Sequence, residues 1–341
     1  MKSYSNANLA LSAWTADPAP PIGTAVVGVG YFGRRHALCY TRLAGSSLQA
    51  LVDPDPATQS LAEHLGVDWY SHVTDLPSTV RAVSIATPVA SHYALAKTLL
   101  ERGLDVLLEK PIAETAAQAI ELQRLADAKN CVLQIGHIER FNPAFKFGPA
   151  LLSRAHTIRT VRTTHRPPRV GALDVVIDLM IHDLDLISYG VACPLIDLQA
   201  SGCSYGLTPI DEAQVELVFA NGCRAHLHTY WGRGAGQEDR YMIAELGDNE
   251  TWMMDFNRRA SFRATFCGPI HSLGNSGNPA LVFAAQNSSG GEHDTLSLQL
   301  ASFLNASRRR AVPRVTPEDG HAALGLAQQV RQRILEPKSG S

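Results

Sequence analysis

A short apolar run, Gly23-Thr24-Ala25-Val26-Val27, opens directly into Gly28-Val29-Gly30-Tyr31-Phe32-Gly33, and Asp53 follows 20 residues after the last of these glycines. The run reads as a buried strand, Arg34 to Arg42 as a helix, and Leu48 to Val52 as a second strand ending at Asp53. Strand, glycines, helix, strand and acid fall in the order of a dinucleotide-binding βαβ unit. Gly28 permits the tight turn, Gly30 lets the backbone approach a pyrophosphate, and Gly33 lets helix and strand pack closely. The helix start offers N–H groups and a positive dipole end to the pyrophosphate. Asp53 can accept from a ribose 2′-hydroxyl and would repel a 2′-phosphate, which points to NAD rather than NADP. The competing interpretation is an ordinary glycine turn, with Asp53 merely starting the Asp53-Pro54-Asp55-Pro56 loop.

The same alternation continues. Helices are expected at Ala57–Leu65, His92–Arg102 and Thr115–Lys129, and strands at 67–70, 82–86, 105–109 and 131–135, with a turn or a short helix over 72–80. Alternating strands and helices give a doubly wound parallel sheet, an α/β Rossmann domain over residues 22–140. Ligands on such a sheet lie beyond the carboxyl ends of its strands. Those ends carry Gly28, Asp53, Ala86-Thr87-Pro88, Glu109-Lys110-Pro111 and Gly136-His137.

After about residue 140 strand-like runs follow one another, at 157–165, 196–205, 212–219, 223–231, 240–246 and 251–255. Asn221-Gly222 is a hairpin turn, and Gly247-Asp248-Asn249 reads as another. One helix, about 174–189, interrupts them. Residues 141–337 are therefore expected to form an α+β domain on an open, mostly antiparallel sheet. A loop over 268–292 and helices over 294–307 and 317–336 close it, the last started by Thr316-Pro317-Glu318-Asp319. Residues 1–21 read as an arm and linker. No internal repeat is found.

A length of 341 residues suits two such domains. A net charge of −2 with no dominant basic tract does not indicate nucleic acid or an anionic membrane surface. No apolar run reaches the roughly 18 residues of a membrane span. Residues 1–21 do not read as a convincing signal peptide. The six cysteines show no CxxC spacing, so reduced, mostly buried thiols and a cytoplasmic location are expected.

Three clusters carry polar chemistry. Lys110, ending a strand at the cofactor rim, can stabilise a forming alkoxide, with Glu109 orienting it; the alternative is a surface Glu-Lys pair. Asp178 and His182 are i and i+4 on the expected helix and Asp185 is i+7, so the three share a face. A histidine backed by a carboxylate can act as a general base; the alternatives are the solvated side of an amphipathic helix, or a metal site with Asp183. Glu139-Arg140-Phe141-Asn142, at the domain junction, can hold sugar hydroxyls or phosphates, or form a salt bridge and turn. His226 and His228 fit the polar side of a half-exposed strand.

Together, Gly28-Val29-Gly30-Tyr31-Phe32-Gly33, Ala86-Thr87-Pro88 with His92, Glu109-Lys110-Pro111, and Asp178 with His182 resemble the Gfo/Idh/MocA oxidoreductase family over nearly all of residues 22–337. The resemblance implies a Rossmann domain followed by an open-sheet domain that forms dimers or tetramers. It implies NAD held by Gly28, Gly30, Tyr31, Phe32, Gly33, Asp53, Thr87, Pro88, His92, Glu109 and Lys110, and no metal. It makes Lys110 and His182, with Asp178, the catalytic residues. Gly136-His137-Ile138-Glu139-Arg140-Phe141-Asn142-Pro143 is similar to the sugar-nucleotide branch, the UDP-N-acetylglucosamine 3-dehydrogenases. That branch implies a UDP-sugar substrate met by Glu139, Arg140, Asn142, Arg166, Asp178 and His182, and a sugar aminotransferase that consumes the product in lipid A synthesis. Arg166-Pro167-Pro168-Arg169 departs from the patterns of related branches. The rivals are a dehydrogenase of a free sugar or inositol, and an NAD-sensing regulatory protein on the same fold.

Overall fold

The structure is a computed structural model that describes residues 20–165, 173–232, 238–247, 250–265, 283–285 and 294–336. Residues 1–19 of the arm expected over 1–21, Arg166, residues 248–249 of the Gly247-Asp248-Asn249 turn and most of the loop over 268–292 lie outside the described residues. Two compact units form, residues 1–136 with 296–318, and residues 137–295 with 319–341.

In the first unit the elements run β1 (Ile22–Val27), α1 (Tyr31–Tyr40), β2 (Ser46–Val52), α2 (Gln59–Leu65), β3 (Asp68–Tyr70), β4 (Ala82–Ile85), α3 (Val89–Glu101), β5 (Asp105–Leu108), α4 (Ala116–Lys129) and β6 (Leu133–Ile135). The sheet order is β3-β2-β1-β4-β5-β6, and every pairing is parallel. β4, β5 and β6 are buried along their whole length, as strands covered on both faces must be. α4 is delimited by local chemistry. Thr115 and Gln118 form a reciprocal capping box at its start, and Asn130 ends it in the left-handed region. α1 and α3 begin earlier than the sequence suggests, at Tyr31 and Val89, because the helices start directly from the turns after β1 and β4.

In the second unit α5 (Gly148–Leu152) and β7 (Ala155–His165) lead to a π-helical turn over Val176–Met180 and α6 (Ile181–Val191). There follow β8 (Leu195–Cys203), β9 (Glu212–Phe219), β10 (Arg224–Gly232), β11 (Arg240–Leu246), β12 (Glu250–Asp255), β13 (Ala260–Thr265) and β14 (Phe283–Ala285). The sheet order is β14-β13-β12-β11-β7-β10-β9-β8. Only the β7–β10 pairing is parallel among the described strands of this sheet. Gly222 supplies the positive φ of the β9–β10 hairpin. Ala213, Val215, Leu217 and Phe219 alternate inward with Ala225, Leu227 and Trp231, and pack with Ile181, Leu184 and Ile187 of α6. Ala323, Ala327 and Val330 of the closing helix Pro317–Leu335 join this core.

The expected second domain differs in three ways. β13 and β14 extend the sheet beyond β12; β14 lies in a Gly/Ser/Asn-rich stretch whose composition signals a loop. The helix expected over 174–189 is split between the π turn and α6. The contact boundary falls after residue 136 rather than 140, and residues 296–318 return to the first unit. That segment holds most of α7 (Thr295–Arg309), the helix before the closing one, α8. Its Gln299 carbonyl accepts from Gln134, its Ser307 and Arg310 engage Asp105 at the start of β5, and Val315 O accepts from Ile135 N of β6. These bonds tie it to the parallel sheet.

Candidate active site

The carboxyl ends of the parallel strands align in one row. Val27 pairs with Val52 and Ile85, Ile85 with Leu108, and Leu108 with Ile135. Backbone bonds continue it one residue further, from Gly28 N to Val52 O, Ala86 N to Val27 O, Glu109 N to Ile85 O and Gly136 N to Leu108 O, at 2.8, 2.8, 3.0 and 2.8 Å. Register alone therefore sets Asp53, Gly28, Ala86, Glu109 and Gly136 side by side.

Each motif glycine has its own reason. Gly28 has φ +83°, and a Cβ there would stand 2.6 Å from Thr87 Cγ2. A Cβ on Gly33 would lie 1.7 Å from Gly28 O, so the helix could not pack on the turn. Among the described residues, its chain neighbours set aside, no atom lies within 4 Å of a Cβ position on Gly30, and no side chain caps α1 there. Asp53 accepts from Val29 N at 2.6 Å and Asp55 N at 2.9 Å, tying the end of β2 to the glycine turn. The open space at Gly30, the bare helix start and the acid fit the diphosphate and ribose of a dinucleotide. Tyr31 and Phe32 lie in the first turn of α1, exposed and edge-to-face at 5.3 Å. Thr87 accepts the Ser91 hydroxyl at 2.8 Å and is half-buried, and Pro88 beside it is exposed.

Glu109 and Lys110 are both half-buried. His36 of α1, wholly buried, places Nε2 3.3 Å from Glu109 Oε1. Burial opposes the charge on Glu109, but His36, Lys110 and His92 outweigh it and hold the carboxyl below its usual range. His92 of α3 is buried between Pro111 O at 2.8 Å and Thr87 O at 2.9 Å. Burial lowers its pKa, against the pull of those carbonyls and Glu109. The two histidines thus brace the strand end that carries Lys110.

In the second unit, Asp178 lies in the π turn and His182 one residue into α6. An i→i+5 turn keeps residues four and five apart on one side, and such turns recur at functional sites. From Asp174 to Ile187, Asp178 and His182 are the two partly exposed residues, and all others are buried. The expected shared face therefore survives for this pair. It does not survive for Asp185, which is 1% exposed and accepts Arg140 Nε and Nη2 at 2.8 and 2.6 Å. Nor is Asp183 available to a metal, since Arg162 of β7 grips both its oxygens at 2.8–3.1 Å. His137, buried, meets the His182 ring edge-to-face at 6.2 Å between centroids.

The Glu139-Arg140-Asn142 cluster also requires correction. All three are buried and spent on the second unit itself. Glu139 accepts from Arg162 at 2.9 Å and from Asn142 at 2.9 Å. Asn142 also bonds Phe256 O and Ala144 N. Arg140 stacks 3.9 Å over Tyr189 and meets Asp319 at 3.2 Å. Burial works against the charges of Arg140 and Arg162, but Asp185 for the first, and Asp183 with Glu139 for the second, overcome it and hold both guanidiniums charged beyond their ordinary range. The salt bridge anticipated beside Glu139 exists, but with Arg162 instead of Arg140.

Sequence reasoning missed His36 and Arg162, although each left a trace. His36 falls in the inward stripe Gly33, His36, Ala37, Tyr40 of α1, where an imidazole is out of place. Arg162 sits on the inward side of β7 with Ile158 and Thr160. Among the described cysteines, Cys39 and Cys223 are buried, Cys131 and Cys193 half-buried and Cys203 exposed, so the thiols are less buried than expected. No helix among the described residues is long and apolar enough to cross a membrane.

Comparison with known proteins adds four findings. Residues 22–137 match the family described as an oxidoreductase family with an NAD-binding Rossmann fold. The chain is 33% identical over 313 residues to the UDP-N-acetylglucosamine 3-dehydrogenase of Acidithiobacillus ferrooxidans, covering 91% of this chain and 96% of that protein. A solved structure of that enzyme superposes with a TM-score of 0.81 at 28% identity, covering 92% of this chain and 98% of the other. An inositol 2-dehydrogenase of Corynebacterium glutamicum is 29% identical over 178 residues, covering 48% of this chain and 52% of that protein.

Proposed function

The chain belongs to the Gfo/Idh/MocA family of NAD-binding oxidoreductases, and from that premise we propose that it oxidises C3 of UDP-N-acetylglucosamine to the 3-keto sugar nucleotide. The observation that carries this reading is the match to a UDP-N-acetylglucosamine 3-dehydrogenase along 91% of the chain. The inositol dehydrogenase match spans about half, 48% of the chain, and supports a free polyol less well. A purely regulatory role is disfavoured by the presence of both Lys110 and His182.

NAD, when bound, supplies the acceptor for the hydride leaving carbon. Gly28, Gly30 and Gly33 shape the turn for its diphosphate, and Asp53 selects an unmodified ribose. His182 takes the hydroxyl proton, Asp178 supports the imidazolium, and the Lys110 ammonium stabilises the developing alkoxide. The nucleotide supplies remote binding energy that positions the sugar. With Glu139, Arg140 and Asn142 spent on internal bonds, the substrate contacts retained in the proposal are Asp178, His182 and Arg166.

Alcohol oxidation by NAD is unfavourable near neutral pH. We therefore place a sugar aminotransferase downstream, removing the ketone on a route to lipid A or a surface polysaccharide in the cytoplasm. We also propose a homodimer or homotetramer through the strands over 212–231; a monomer by light scattering at micromolar concentration contradicts it. The test of function is NADH formation from UDP-N-acetylglucosamine coupled to such an aminotransferase, with mass spectrometry of the product. A 3-amino sugar nucleotide is expected. Formation of NADH from another sugar nucleotide or a free polyol instead, with none from this substrate, overturns the assignment.

A further inference from the structure

We propose that His36 is a positioning residue for Lys110, acting through the Glu109 carboxylate, and that residue 136 is glycine to leave that carboxylate its place. The inference rests on the catalytic role proposed for Lys110.

Four observations carry it. His36 is wholly buried in a helix stripe otherwise made of Gly33, Ala37 and Tyr40, where an apolar side chain would avoid the cost of burying an imidazole. Neither ring nitrogen has a hydrogen-bond partner among the described residues, and Nε2 stands at ion-pair distance, 3.3 Å, from Glu109 Oε1. The ring is thus turned towards one group, the residue that precedes Lys110.

The third observation concerns Gly136. Its φ is not positive, so the backbone does not demand glycine. A Cβ there would stand 2.7 Å from Glu109 Cδ, Oε1 and Oε2 alike. The carboxyl group therefore lies flat against the Gly136 α-carbon, in space that any side chain would take. Gly136 N is itself bonded to Leu108 O, in the residue before Glu109, so the backbone beneath the carboxylate cannot readily withdraw.

The fourth is the charge balance at Glu109. The charged or titratable groups that act on it are His36 from α1, His92 from α3 and the adjacent Lys110. Burial favours the neutral acid, and His36 is the leading influence in the opposite direction. Without His36 the carboxylate loses both its orientation and its support. Lys110 then loses the counter-charge beside its ammonium.

The test uses the full-length protein with three variants, His36→Leu, His36→Gln and Gly136→Ala. The amide introduced by His36→Gln can present an N–H close to the position of Nε2, and Gly136→Ala displaces the carboxylate without touching His36. In each variant the NAD dissociation constant, kcat and KM for UDP-N-acetylglucosamine, and the thermal midpoint are measured. The rate at which Lys110 is acylated by an amine reagent in cofactor-free protein is followed by peptide mass spectrometry at fixed neutral pH. In His36→Leu and Gly136→Ala, kcat is expected to fall by roughly tenfold or more with KM little changed, as displacement of a group that stabilises a developing oxyanion does. Lys110 acylation is expected to quicken severalfold. His36→Gln is expected to recover most of both. If His36→Leu does not fold, Gly136→Ala and His36→Gln carry the test. Native acylation with native kcat in Gly136→Ala, or a His36→Gln protein no better than His36→Leu, overturns the inference. If the native protein does not turn over this substrate, the substrate assignment has failed, and the acylation rates still decide the role of His36.

Discussion

The strand end that carries Lys110 and the helical turn that carries His182 each present one side chain of the proposed chemistry from a buried support, and they do so by different physics. At the strand end, parallel register does most of the placing. Four backbone bonds align Gly28, Ala86, Glu109 and Gly136, and the polar bracing is left to two histidines, His36 and His92. At the turn, no neighbouring strand fixes the rotation of α6 about its axis. Asp183 and Asp185, two residues apart and so on different sides of the helix, are gripped by Arg162 and Arg140. A rotation of one residue would break both grips. A backbone ladder can place a residue with little help from side chains, whereas a helix that must present one residue at a fixed azimuth needs side-chain clamps.

The clamps give the largest expected effect. Arg162 and Asp183 are 2% and 1% exposed, and truncating one partner leaves the other charge buried. Arg162→Leu or Asp183→Leu is expected to cost about 3–5 kcal/mol, whereas the double apolar replacement recovers part of that loss, since buried Glu139 still loses Arg162. Urea denaturation of the three variants checks this. A single-variant loss below about 1 kcal/mol, far under the usual cost of breaking a buried pair, would mean that packing, not the ion pairs, holds α6.

At the strand end the corresponding loss appears in ligand choice. Asp53→Ser is expected to weaken NAD by roughly tenfold or more, since hydrogen bonds to a charged acceptor contribute about 1.5–3 kcal/mol. It should also narrow the preference over NADP, as titration of NADH and NADPH fluorescence will show. Equal affinity of the native protein for both cofactors would remove Asp53 from the selecting role.

The smallest effect separates the two regions by pH. His92 has its pKa lowered by burial, so the unfolded chain binds more protons than the folded one between the folded value and the ordinary value of about 6.5. Its contribution is complete above that ordinary value and is lost as pH falls through the window below it. The arginine clamps do not titrate there. The thermal midpoint should therefore fall on acidification below about pH 6.5, and fall less in His92→Gln. An identical slope in the variant would show that His92 is not the source.

The same difference explains what could be read from sequence. Glycine spacing, Asp53 and the strand-ending Glu109-Lys110 were legible because register turns sequence position into spatial position. The Asp178 and His182 pair was legible as a helical spacing, although the π turn that carries Asp178 was not. Arg140 was misread because its partner Asp185 lies 45 residues away, and Asn142 because its partner Phe256 lies 114 away. Nothing local announces such pairings. The return of residues 296–318 to the first unit was hidden for the same reason, since it rests on bonds to Asp105, Gln134 and Ile135 far earlier in the chain.

The central claim is that Lys110 and His182, supported so differently, serve one chemical step. Single-turnover NADH formation from UDP-N-acetylglucosamine in Lys110→Met, His182→Asn and the double variant tests it most directly, with NAD affinity measured alongside. Each single variant is expected to fold, to retain NAD binding and to lose roughly 100-fold or more in rate. The double variant is expected to lose little beyond the worse single, as groups that act as a unit do. Near-native rates in either single variant, or losses that multiply in the double, would contradict the account.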